Sequence, residues 1–383
     1  MPAVPDRVID WRRHLHRHPE PSCEERETAR FIAETLEGLD GLEVVRPSAT
    51  SVVAHLRTGR PGRTLALRAD TDALPIREES GVDFASQRDG VMHACGHDGH
   101  VAMLLGAAAE LASRAGELSG EVRFVFQPAE ERPPGGAREL VAAGVMQGVD
   151  LVVGCHLWTP LPYGQVAAWG GNAMAAADFF TLTITGEGGH AGLPHATVDA
   201  LAVAAQVVTN LQHLVARRTD PLRSAVVSVT TFHAGDAPNV IPGRAELSGT
   251  VRTFDDDLRA RMPELMETVV RGVTQAHGAG YELDYVLGYA AVRNDPEVAG
   301  LVTGALREAG DAVLADMAPI MGGDDFSAYL AEAPGCYFFV GAGSEESGAV
   351  WPHHHPRFRI DERALAVGTR AHVQTAMRAL GAG

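Results

Sequence analysis

The chain has 383 residues, 45% of them hydrophobic and 21% charged, with a formal net charge of −17. That is the make-up of an ordinary globular protein with room for two domains, and its acidity argues against a nucleic-acid or anionic-membrane partner. Four scattered cysteines, an N-terminus (MPAVPDRVIDWRRHLHRHPE) without an apolar signal core, and the lack of an 18-residue apolar run point to a reducing cytoplasm rather than to secretion or a membrane.

His14, His16 and His18 look like a metal cluster but read as a helix end and the His-Pro loop after it. The spacing predicts an amphipathic helix over residues 24–38, closed by Gly38. Short apolar runs follow, each ending in polar residues. Residues 64–68 (TLALR) lead into Asp70 and Asp72. A helix rich in Ala and Leu covers about 99–111, with Asp98 suited to its N-cap. Residues 122–126 (VRFVF) lead into Gln127, Glu130 and Glu131, and residues 151–154 (LVVG) end at His156. Strands alternating with helices predict a mainly parallel sheet, whose ligands sit at the carboxyl ends of its strands.

The middle of the chain changes character. A strand at 179–185, a helix at 197–217, strands at 225–232 and 244–253, a helix at 256–277 and a strand at 281–287 follow the ferredoxin-like β-α-β-β-α-β order. The expected division is a metal-binding α/β domain at 1–177 and 289–383, interrupted by an inserted domain at 178–288. The first domain resumes with a helix from residue 295 and a buried strand at 336–340.

Several constellations carry chemistry. Adjacent glutamates on a loop are usually solvated charge, but Glu130 and Glu131 follow a buried strand and are flanked by ligand-type residues. Neighbouring side chains on an extended segment point opposite ways, so one can bind metal while the other faces a reacting water. Cys95 and His97, in MHACGHDGH, can reach one site together, and a thiolate can bridge two cations. His93 and His100 read as packing or supporting groups. His156 alone would more often be a core histidine, and its neighbour Cys155 reads as buried and inert. Of His353, His354 and His355, at most one is needed as a ligand. Asp72 is placed to orient a ligand histidine or to cap a turn. Thiolate, imidazole and carboxylate together suit a borderline metal such as zinc. In the insert, His190 on a Gly-rich turn, Asn239 and Arg252 read either as plain loop and strand-end residues or as a lid, with the arginine pairing a substrate carboxylate.

The segments LRADTDALP, MHACGHDGH, FQPAEE, GCHLW, GGHAGLPH, PNVIP, GTVRTF and HHPRF resemble the metal-dependent aminoacylase and carboxypeptidase family. Within it they are similar to the amidohydrolase branch of hippurate hydrolases, N-acyl-amino-acid amidohydrolases and auxin-conjugate hydrolases. The resemblance implies two divalent ions per subunit (zinc, manganese, cobalt or nickel) on Cys95, His97, Glu131, His156 and His354. It implies Glu130 as general base and Asp72 as the acid that orients a ligand, while Asp70 stands where related carboxypeptidases carry a metal histidine. It further implies a homodimer formed through the insert, in which His190 serves the neighbouring subunit's site and Asn239 and Arg252 hold substrate. The chain departs from the branch in Arg132-Pro133-Pro134 after the glutamates and in GGDDFS at 322–327. The expected reaction is hydrolysis of an N-acyl amino acid. The alternatives are a dipeptidase or carboxypeptidase on the same scaffold, or a non-catalytic metal- or peptide-binding protein.

Overall fold

The apolar runs assemble into one eight-stranded sheet. The computed structural model describes residues 6–381, so the first five residues of the N-terminal stretch read above lie outside it. The strands are β1 (Leu42–Val45), β2 (Val52–Arg57), β3 (Thr64–Asp70), β4 (Glu121–Gln127), β5 (Leu151–Pro162), β6 (Gln165–Ala167), Ala312–Leu314 and Gly335–Gly343. Their order is β1-β2-β4-β3-β5, then Gly335–Gly343, β6 and Ala312–Leu314. The neighbours β4, β3, β5 and Gly335–Gly343 run parallel. Antiparallel pairings join β1 to β2, β2 to β4, and Gly335–Gly343 to β6. The expected α/β architecture with a mainly parallel sheet is therefore present. Nearly every residue of β3 and β4 is buried, as in strands covered on both faces, which is why they read as continuous apolar runs.

Register places the polar residues together. Asp70, the last residue of β3, pairs with Gln127, the last of β4. Arg68 pairs with Gly154, which sets His156 level with the end of β3. The expectation that β5 stops at His156 is corrected. The strand runs on to Pro162 because Gly335–Gly343 continues beside it, with Phe339 opposite His156 and Gly343 opposite Pro162.

The helices include α1 (Asp6–Arg17), α2 (Arg26–Glu37), α3 (His97–Ser113) and, later in the chain, Pro296–Glu308 and Ala364–Leu380. Helix α3 packs against α1 and Ala364–Leu380. Val101, Leu104, Leu105 and Ala108 are buried in the same core as Leu365 and Val373. Each fully buried Val or Leu side chain of this kind stabilises the fold by about 1.5–3 kcal/mol. Gly99 lets the start of α3 pass close to β5, since a Cβ there would lie 2.4 Å from Leu157 Cδ1.

A second compact unit comprises Met174–Ala291 with Pro319–Asp324. Its sheet has the order Ala225–Ala234, Arg244–Thr253, Ala176–Thr185, Gly280–Tyr289, and its pairings are antiparallel. With helices Ala200–His213 and Asp256–His277 this is the ferredoxin-like arrangement expected from the sequence. Phe180, Leu182, Ile184, Val207, Leu211, Met262 and Met266 lie in its core. Asp199 caps the first helix by accepting from the Leu201 and Ala202 amides, and Asp255 caps the second by accepting from Leu258. No helix among the described residues is long and apolar enough to cross a membrane.

Candidate active site

The site is built where β3 and β4 end beside β5, all in the first unit. Its entry from α3 differs from expectation. Gly96, at φ +93°, occupies the N-cap position, and His97 is the first residue of the helix. Asp98 does not cap. It accepts from Arg12 Nε at 2.8 Å and lies 2.8 Å from His16 Nδ1, fully buried. The left-handed turn at Gly96, open to glycine without steric cost, redirects the chain between Cys95 and His97.

Potential donor atoms fall into overlapping groups, each within 4.8 Å: Cys95-His156-His353, Asp70-His97-His100, Cys95-Glu131-His354 and His97-Glu130-Glu131. Hydrogen bonds sort the histidines, because an amide N–H only donates and a carbonyl only accepts. His353 Nε2 accepts from the Thr159 amide at 3.3 Å while Nδ1 faces the Cys95 carbonyl at 3.2 Å. His100 Nε2 accepts from the Leu157 amide at 2.9 Å while Nδ1 lies 2.6 Å from Asp70 Oδ1. Both rings are fully engaged. His156 turns Nδ1 to the Leu157 carbonyl at 2.6 Å, leaving Nε2 3.4 Å from Cys95 Sγ. His97 turns Nδ1 to the Asp72 carbonyl at 2.9 Å, and its buried Nε2 has no hydrogen-bond partner among the described residues. A ring tied to a carbonyl through one nitrogen, with the other left over, is the usual posture of a metal-ligating histidine.

His354 is exposed, and its Nε2 lies 3.1 Å from Glu131 Oε1. That buried oxygen makes no hydrogen bond of acceptable geometry among the described residues. It also lies 4.0 Å from His97 Nε2. Two orphaned donor atoms converging beside a thiol, each costly to bury unless satisfied, fit a bound cation.

Electrostatics agree. Burial, then the charges of Glu131, Glu130 and Asp70, hold the Cys95 thiol well above its usual range. Burial works against protonating His97, but Asp70, Asp72 and Glu131 outweigh it and lift that ring to about 10. Carboxylates that favour a proton on Nε2 favour any cation there, and a metal would displace the proton and ionise the thiol. Burial, then His100 and His353, pushes His156 well below its ordinary value, which keeps its lone pair available.

Asp72 organises the glutamate pair. Its Oδ1 accepts from the Glu130 amide at 3.1 Å, and its Oδ2 accepts from the Glu131 amide at 3.0 Å and from Ser22 Oγ at 2.6 Å. Asp70 is bound by Arg68 at 2.6 Å, and Arg68 also bonds Gln127 and Asp325. Three non-glycine residues among those described have positive φ: Cys23 (71°), Ala129 (54°) and His354 (65°). The last two carry or adjoin the donor atoms. Such backbone costs about 1–2 kcal/mol per residue and gathers at functional sites. Arg68, Asp325 and Ser22 also support the site and were not expected there from the sequence. Each resembles ordinary strand or loop polarity, and no local signal marks it.

The remaining expected residues lie in the second unit. His190 and Asn239 lie at one small two-stranded antiparallel sheet, where Val240 pairs with His190 and the Ala191 amide donates to the Asn239 carbonyl. His190 is exposed, and its Nδ1 accepts from the Gly192 amide at 3.0 Å, so the neutral ring carries its proton on Nε2. Arg252 is partly buried, with its guanidinium 5.7 Å from the Phe179 ring centre.

Fold and donor set together define an α/β metallohydrolase. The chain belongs to peptidase family M20/M25/M40, whose model matches residues 66–378. It is 54% identical over 311 residues to an N-acyl-L-amino acid amidohydrolase of Geobacillus stearothermophilus, covering 80% of this chain and 84% of that one. It is 41% identical to thermostable carboxypeptidase 2 of Saccharolobus solfataricus, over 98% of this chain and 96% of that one. A solved dinuclear metal-binding M20 peptidase from Bacillus subtilis superposes with a TM-score of 0.83 at 37% identity, covering 97% of each chain.

Proposed function

We propose that the protein is a metal-dependent amidohydrolase that splits an N-acyl amino acid into a carboxylic acid and a free amino acid. Cys95, His97, Glu131, His156 and His354 would hold two divalent ions, of zinc, manganese, cobalt or nickel. Ions held there supply Lewis acidity, polarising a carbonyl and lowering the pKa of water. Glu130 takes a proton from the attacking water and delivers it to the amide nitrogen as the C–N bond breaks. Asp72 orients His97 and fixes the backbone of both glutamates.

The second unit serves as lid and dimerisation domain in this reading. With its proton on Nε2, His190 is in the form that donates to a developing oxyanion, and it acts on the neighbouring subunit's substrate. Asn239 and Arg252 hold the substrate's carboxylate. All four cysteines are free thiols, which suits a reducing cytoplasm.

The observation that supports the reading is the convergence of donor atoms around the glutamate pair: the buried Oε1 of Glu131, without a hydrogen bond among the described residues, groups with Cys95, His97 and His354, and Glu130 stands in the same cluster as a second carboxylate. The carboxypeptidase named above, similar over nearly the whole chain, favours peptide cleavage as the second reading. Hydrolysis of N-acetyl and N-benzoyl amino acids beside unblocked dipeptides, with each metal restored, tests both. Turnover of the acylated substrates supports the proposal. Turnover of dipeptides alone transfers it to the second reading, and no turnover of either class despite bound metal refutes both.

A further inference from the structure

The turn that carries Glu130 and Glu131 is held by two carboxylates, of which Asp72 is only one. Three consecutive amides, those of Ala129, Glu130 and Glu131, point at acidic oxygens. Glu130 and Glu131 donate to Asp72, while Ala129 donates to Glu25 Oε1 at 2.8 Å. Successive amides in such a turn form a concavity that binds anions, and here the anions belong to the protein. Ala129 is the residue that bends the chain, at φ +54°, in a region alanine avoids. Its carbonyl is held in turn by the Gly136 amide at 3.1 Å.

Glu25 comes from a different part of the chain. It is the residue before α2, and its carbonyl accepts the helical bond from Ala29 at 3.0 Å. It has no exposed surface, and its second carboxyl oxygen finds no hydrogen-bond partner among the described residues. Burying a half-satisfied carboxyl is unfavourable, so its retention calls for a task. Proton transfer at the reacting amide does not use it, since its bonded oxygen faces a backbone N–H.

We propose that Glu25 is a positioning residue: by accepting from Ala129 it holds the left-handed turn closed, and so sets Glu130 against the donor atoms grouped with Glu131. This rests on the amidohydrolase reading only for its kinetic consequence. The clamp itself is a property of the protein alone.

Two substitutions separate the acceptor from the volume. Glu25→Gln keeps an acceptor oxygen. Glu25→Met fills similar space with none. In the full-length, metal-restored protein, Glu25→Gln should stay within about threefold of wild-type kcat on an N-acetyl amino acid, whereas Glu25→Met should lose about 10–30-fold with KM nearly unchanged, the size expected for one buried amide left unpaired. In the metal-free protein, hydrogen exchange at the Ala129 amide should quicken at least about tenfold in Glu25→Met and not in Glu25→Gln. Wild-type exchange and kcat in Glu25→Met, or a Glu25→Gln variant as impaired as Glu25→Met, overturns the proposal. If the wild type hydrolyses no N-acyl amino acid, the amidohydrolase reading fails by itself, and the exchange comparison still decides the clamp.

Discussion

Asp72 grips His97 through two of its own oxygens: the ring Nδ1 lies 2.9 Å from the Asp72 carbonyl and 3.3 Å from Oδ1. The same carboxylate receives the Glu130 and Glu131 amides. One residue therefore fixes the orientation of an imidazole and the path of the paired glutamates. Burial opposes its ionisation, but the hydrogen bonds from His97, Ser22 and the Glu131 amide keep its pKa below the usual carboxylate value.

An asparagine at position 72 can accept through one side-chain atom but not through both. Asp72→Asn should weaken metal binding by about 10–100-fold, as loss of a ligand-orienting partner does. Competition with a chelator measures it. Undiminished metal affinity would show that the Asp72 carbonyl alone suffices.

The neighbouring histidines should respond differently. His354→Ala should strip metal. His353→Ala should leave metal in place and lower stability, because its ring is stacked on Trp158 with centroids 4.7 Å apart and both nitrogens are engaged. Elemental analysis of the two purified variants distinguishes them, and metal loss confined to His353→Ala would reverse the assignment.

Much of this was legible in the sequence, for a physical reason. Parallel strands buried on both faces leave continuous apolar runs, and polar residues such as Asp70, Gln127 and His156 stand out against them. The ferredoxin-like unit was legible because its helices and strands keep their periods and follow one another in the β-α-β-β-α-β order. What was hidden depends on contacts between distant segments. Asp98 looks like a cap in the sequence, yet Gly96 takes that position and frees Asp98 to pair with Arg12, 86 residues away. Glu25 looks like helix-surface charge, and only the fold brings it to Ala129, 104 residues later.

Glu25 also gives a pH signature. Burial first, with the Asp72 charge adding to it, raises its pKa from 4.5 to about 7 against the pull of its backbone hydrogen bonds. The folded state thus binds this proton more tightly than the unfolded chain. The stabilisation is complete below about pH 4.5 and is lost as pH rises through about 7. Glu25→Gln cannot titrate. It should be more stable than wild type at pH 8.5, by up to about 3 kcal/mol, with the gap narrowing toward pH 5. Urea unfolding at the two pH values checks this, and a gap that widens on acidification has the wrong sign.

The proposed homodimer with shared catalysis predicts complementation. The Glu130→Gln and His190→Ala proteins should each be nearly inactive. A heterodimer would hold one site with both residues intact, so random pairing should restore up to about a quarter of wild-type activity. No recovery after verified subunit exchange would return His190 to its own chain or remove it from catalysis.

Metal content measured beside turnover tests most directly the proposed division in which Glu131 binds metal and Glu130 moves the proton. Glu130→Gln should retain near-wild-type metal while kcat falls by about 10²–10⁴-fold. A Glu130→Gln protein that loses its metal, or one that keeps both metal and turnover, would overturn that division.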